Sequence, residues 1–149
     1  MTLNIRPAVP DDLPEVLAMM AELARHHGEV ATIGAAALQR QIFDEGRGRI
    51  LVAAEEEGLV GYALLLARPV LVTGGASQDI NHLYVVEWRR RAGIGRALIA
   101  AARQASAAVG AEFLTIGTHP DNHGAQAAYR EMGLEELPPA GPRFRIALS

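Results

Sequence analysis

Two apolar runs, Ile50 to Ala54 and Leu59 to Leu66, stand on either side of Glu55-Glu56-Glu57-Gly58, and nothing else in the sequence constrains the fold as strongly. Short apolar runs joined by a charged, Gly-ended turn read as the two strands of a hairpin. Strands that are apolar almost throughout need cover on both faces, so this pair is expected at the centre of a sheet with helices on either side.

The flanking segments supply that cover. Leu3 to Arg6 alternate before Pro7 as a short edge strand. Leu13, Val16, Leu17, Met20 and Leu23 recur at helical spacing after Asp11 or Asp12 as a cap, and this helix is expected to end near His26-His27-Gly28. A second, weaker helix runs from about Gly34 to Glu45. Beyond the hairpin, Asp79 to Val86 reads as a strand, Gly93 to Val109 as a long Ala-rich helix and Phe113 to Thr118 as a buried strand. His123 to Met132 reads as a short helix closed by Gly133, and Arg143 to Leu148 alternates like a terminal edge strand. The expected fold class is α/β (α+β), in one domain over residues 1–149.

Composition narrows the chemistry. The chain has 149 residues, 50% of them hydrophobic, and no stretch suited to a membrane span or a secretory leader, so a soluble, cytoplasmic protein is expected. Cys is absent, which removes thiolate nucleophiles and thiolate metal sites. All 14 basic residues are Arg, so lysine bases, Schiff-base lysines and P-loop lysines are excluded. A formal net charge of −3 argues against a nucleic-acid partner, and His26-His27 lacks the spacing of a metal-ligand pair, so no metal is expected.

The most informative segment runs from Leu83-Tyr84-Val85 through Arg89-Arg90-Arg91-Ala92 to Gly93-Ile94-Gly95-Arg96-Ala97-Leu98. A strand enters a basic turn that opens a helix, where backbone N–H groups and the positive helix end can hold a pyrophosphate. Gly93 and Gly95 keep side chains out of the way, and flanking arginines add charge. A dinucleotide fingerprint would place a third Gly where Leu98 stands. A plain Gly-bearing turn that only starts a helix is the structural alternative.

Arg90-x-x-Gly93-x-Gly95 after Leu83-Tyr84-Val85 resembles the acyl-CoA-binding motif of the GCN5-related N-acetyltransferases, the GNAT family. Asn122-x-x-Ala125-x-x-x-Tyr129-x-x-x-Gly133 resembles that family's second signature, and Ile5-Arg6-Pro7-Ala8 with Asp11-Asp12 resembles its usual opening. Leu134 stands where the family usually has Phe.

The resemblance implies a mixed, mostly antiparallel central sheet with helices on both faces. It also implies acetyl-CoA as cosubstrate and direct attack by a primary amine, of a small molecule or of a protein N-terminus or lysine. A second copy of the chain is a further expected partner; nucleic acid and membrane are not. Leu83, Tyr84, Val85, Arg90, Arg91, Ala92, Gly93, Ile94, Gly95, Arg96, Asn122 and Ala125 would hold the cosubstrate. Tyr129 is the expected acid for the leaving thiolate. Asp79 is the expected base, working through water on one strand parity with Asn81, Leu83 and Val85; His82, on the opposite parity, is the other group with a suitable range. Asn81, His82, His26 and Glu29 are expected to border the acceptor, with Glu22 and Asp44 as further charges for a cationic amine. The competing class is a GNAT-like module that binds acyl-CoA without turnover.

Overall fold

The computed structural model describes residues 2–148, which divide into two compact units, one ending at Gly117 and the other beginning at Thr118.

The first unit contains β1 (Asn4–Pro7), α1 (Leu13–His26), α2 (Ala35–Gln39), β2 (Arg49–Glu55), β3 (Gly58–Val70), β4 (Gly75–Val85), α3 (Ile94–Ala108) and β5 (Phe113–Ile116). The strands form one sheet in chain order, antiparallel from β1 to β4, while β5 lies parallel to β4. A parallel neighbour needs a crossover, and α3 is that connection. The predicted hairpin is β2–β3, with Glu55 opposite Gly58.

Alternation sorts the two faces. Ile50, Val52, Tyr62, Leu64 and Tyr84 pack with Leu13, Val16, Met19 and Met20 of α1 and Leu38 of α2. The intervening residues Leu51, Ala53 and Ala63 are also buried, as are Ile94, Leu98, Ile99 and Ala102 of α3. Gly61 explains how closely α3 approaches: a Cβ there would sit 2.8 Å from the Tyr84 carbonyl and 3.3 Å from Leu98 Cδ1. The continuous apolar runs thus have the double cover they require.

The start of α1 is anchored by Asp12. Its carboxylate accepts the Val9 N–H at 2.8 Å and two bonds from the Arg6 guanidinium at 2.7 and 3.0 Å. The Arg6 bond is the leading cause that holds the Asp12 carboxyl below its ordinary range.

Three boundaries differ from the sequence expectation. The second helix breaks into α2 and a π-helical turn at Arg40–Asp44. Strands β3 and β4 extend to Val70 and back from Gly75, because pairing such as Ala67 with Gln78 carries them past the last buried side chains. Strand β5 is an edge, and its Phe113 is 66% exposed rather than buried.

In the second unit, α4 (His123–Glu131) starts where Asn122 Oδ1 accepts the Ala125 N–H at 3.1 Å. It closes at Gly133, whose φ of +85° is the left-handed cap conformation. Arg143 to Leu148 forms no strand: Phe144, Ile146 and Leu148 are all exposed. Alternation gives a strand only where a pairing edge and a surface to bury against exist.

Candidate active site

The decisive local feature of β4 is an extra residue. Leu64 pairs with His82 but Leu65 pairs with Ile80, so Asn81 bulges out of the ladder and is exposed. The bulge reverses the strand parity expected from sequence. Asp79 lies opposite Leu66, and His82 and Tyr84 lie opposite Leu64 and Tyr62, which places all three on the α1 face. Leu83, opposite Ala63, is on the other face.

Pairing between β4 and β5 covers only Ser77 to Ile80 against Phe113 to Ile116. Strand β4 runs on to Val85, so past the bulge it has no partner on that side among the described residues. Asp79, at the last part of the shared ladder, is buried and its Oδ1 accepts the Thr115 hydroxyl at 2.6 Å.

After Val85 the chain makes a tight 3-10 turn at Glu87–Arg89 and then the start of α3. Arg91 has φ +63°, the only positive value outside Gly among the described residues, and Gly93 follows at +82°. Two left-handed residues so close together turn the backbone sharply. Gly93 caps α3 with no side-chain bond, so the first-turn N–H groups are free of a capping oxygen. Gly95 is already helical, and a Cβ there would meet only Val85 Cγ2 at 4.0 Å. Of the two glycines, only Gly93 answers a backbone requirement.

The arginines divide by role. Arg89 makes a two-pronged bond to Glu55 at 2.8 and 2.7 Å. Arg90 donates from Nε to the Val85 carbonyl at 2.9 Å and lies 5.5 Å over the Tyr84 ring. Arg91 and Arg96 are exposed and make no ion pair among the described residues. The first two arginines shape the turn; the second two have charge to spare for an anion.

A ring cluster occupies the α1 face beside the bulge. Tyr62 Oη lies 3.0 Å from His82 Nδ1, the Tyr62 and Tyr84 rings are 6.4 Å apart, and exposed His26 meets the Tyr84 ring edge-on at 6.2 Å. Burial lowers the His82 pKa, His27 lowers it further and Glu29 opposes both, so near neutral pH the imidazole is uncharged. Burial, and after it Tyr84, pushes the Tyr62 phenol up. Of the acids expected to attract a cationic amine, Glu22 is taken by Arg25 at 2.7 Å, whereas Glu29 makes no ion pair among the described residues.

Asn122, Ala125 and Tyr129 belong to the second unit. One turn separates each from the next on α4, and burial raises the Tyr129 phenol pKa. Sequence reasoning missed Tyr62 and Thr115. For Tyr62 the signal was present: a Tyr inside an otherwise apolar run needs a partner for its hydroxyl. Thr115 had none, because its role depends on the cross-strand register. No group of three His, Asp or Glu among the described residues is arranged to hold a metal.

Comparison with known proteins adds three findings. The model of the acetyltransferase (GNAT) family matches residues 16–134. No curated protein matches the sequence significantly. Among solved structures, a possible acetyltransferase from Clostridium difficile 630 superposes with a TM-score of 0.81 at 19% identity, covering 99% of both chains. An aminoglycoside acetyltransferase from an uncultured soil metagenomic sample, in complex with sisomicin, gives 0.83 at 20% identity over 97% of both chains. A ribosomal-protein-alanine N-acetyltransferase from Brucella melitensis biovar Abortus 2308 gives 0.79 at 18% identity over 98% of this chain and 100% of that one. At such identities the likeness is one of fold.

Proposed function

The chain belongs to the acetyltransferase (GNAT) family, and from that premise we propose that it moves the acetyl group of acetyl-CoA to a primary amine by direct attack, without a covalent enzyme intermediate. The observation that carries this reading is the parting of β4 from β5 beyond Ile80, which leads straight into the uncapped start of α3. A thioester with a long amide-bearing arm and a pyrophosphate suits such a groove. The Leu83-Tyr84-Val85 backbone would pair with the arm like an added strand. The turn Arg90 to Arg96, through the N–H groups of Ile94, Gly95 and Arg96 and the side chains of Arg91 and Arg96, would hold the pyrophosphate. Ala92 and Gly93 keep that turn bare.

The amine lone pair attacks the thioester carbonyl carbon; a C–N bond forms, and the C–S bond breaks. The proton lost by nitrogen passes through water to Asp79, whose Oδ2 remains available while Thr115 occupies Oδ1. In the role that the family resemblance gives it, Tyr129 hands its proton to the thiolate, and solvent later resupplies it. Asn122 fixes the start of α4, and the resemblance assigns Asn122 and Ala125 to the cosubstrate. Asn81, His82, His26 and Glu29 border the acceptor, a small-molecule amine or the N-terminal or lysine amine of a protein.

The test is amine-dependent release of free CoA thiol across a panel of acceptors. Release above the hydrolysis background, with an acetylated amine recovered by mass, is expected. Binding of acetyl-CoA with no acceptor consumed would instead make the chain an acyl-CoA-binding module.

A further inference from the structure

The Tyr62 phenol has no exposure to solvent, and among the described residues its only hydrogen-bond partner is His82 Nδ1 at 3.0 Å. A buried hydroxyl keeps its proton on an acceptor where one is in reach, because an unsatisfied buried donor costs roughly 1–3 kcal/mol. The phenol therefore donates to Nδ1. In a neutral imidazole, a ring nitrogen that accepts leaves the proton on the other, so His82 carries its hydrogen on Nε2.

We infer that Tyr62 locks His82 in the Nε2–H tautomer, and that this N–H reads a hydrogen-bond-accepting oxygen on the amine substrate. The inference rests on the transferase reading and deepens it by naming an acceptor class: amines with a hydroxyl, carbonyl or carboxylate oxygen on the carbon next to the amine-bearing carbon. His82 is then a specificity residue and Tyr62 its positioning residue; neither is the base.

The bulge at Asn81 turns His82 onto the α1 face, beside the place where β4 leaves β5. The imidazole meets the Tyr62 ring of β3, which in turn meets Tyr84 of β4, and it feels the charges of His27 and Glu29 from the segment after α1. Burial favours the uncharged ring, and a neutral N–H donor has nothing to offer a second ammonium group. A site that donates a hydrogen bond discriminates strongly against an analogue without the matching oxygen, since the donor is then left without a partner.

Two measurements test it. Long-range proton–nitrogen correlation spectra of the whole chain labelled with 15N-histidine are expected to show His82 with hydrogen on Nε2, and to show mixed tautomers in Tyr62→Phe. Hydrogen on Nδ1 in the unmodified protein would overturn the inference, whether or not the protein is a transferase. The second compares ethanolamine with n-propylamine, in which a methyl group stands in place of the hydroxyl. Wild type is expected to favour ethanolamine in kcat/KM by about ten-fold through KM, the worth of one neutral hydrogen bond near 1.4 kcal/mol. His82→Leu should bring the two amines to the same kcat/KM, and His82→Gln, which keeps an N–H donor, should restore part of the preference. A preference that survives His82→Leu, or its absence in wild type, contradicts the inference. Failure of both amines while other acceptors of the panel are consumed would also contradict the inference; failure of the whole panel would fault the transferase reading, with the tautomer measurement still deciding the role of Tyr62.

Discussion

Gly93 and Gly95 stand two positions apart and differ completely in what they do. Gly93, at φ +82°, holds a conformation that costs an L-residue roughly 1–2 kcal/mol. Gly93→Ala should therefore lower Tm by about 3–6 °C in thermal unfolding. Gly95 is helical and meets nothing closer than 4.0 Å, so Gly95→Ala should leave Tm level or raise it slightly. Equal losses at both would mean that the turn, not the single residue, sets the requirement. Tyr129→Phe removes one hydroxyl and keeps the ring. In the proposed mechanism kcat falls about ten-fold or more, with the affinity for acetyl-CoA unchanged; full turnover in a chemistry-limited assay would leave Tyr129 a packing residue.

Elements were legible in the sequence wherever burial imposed a period. Leu13, Val16 and Met20 marked α1, and the paired apolar runs marked β2 and β3, because each has a face against the core. The ends of β3 and β4 were not legible: residues 67–70 are largely exposed and are held by backbone pairing, which leaves no side-chain signature. The same blindness hid the bulge. Asp79, Asn81, Leu83 and Val85 look like one strand face until Asn81 drops out of the ladder, and only cross-strand register reveals that. At the start of α1 the sequence signal was Asp12, and its consequence is measurable. Its pKa is depressed, first by the Arg6 bond, so its stabilising contribution is complete above the ordinary carboxylate range and disappears as pH falls through the lowered folded value. Asp12→Asn should cost roughly 1 kcal/mol at pH 7, a figure kept small because Arg6 is 33% exposed. In urea titrations at decreasing pH the gap from wild type should close; a gap independent of pH would assign the effect to the Val9 N–H bond alone.

For the whole molecule, the family could be read from two short signatures, Arg90-x-x-Gly93-x-Gly95 and Asn122 to Gly133, because each holds a Gly at a left-handed position, Gly93 and Gly133. The last signature, the alternating Arg143 to Leu148, misled because alternation states a preference and a sheet edge must satisfy it. No helix among the described residues is long and apolar enough to cross a membrane. The central claim is that the parting of β4 from β5 and the bare start of α3 together receive acetyl-CoA. Calorimetric titration of the purified chain with acetyl-CoA, with NAD in parallel, tests that claim most directly: saturable binding of acetyl-CoA and none of NAD is the predicted result, and equal affinity for the two, or no heat with acetyl-CoA, would contradict it.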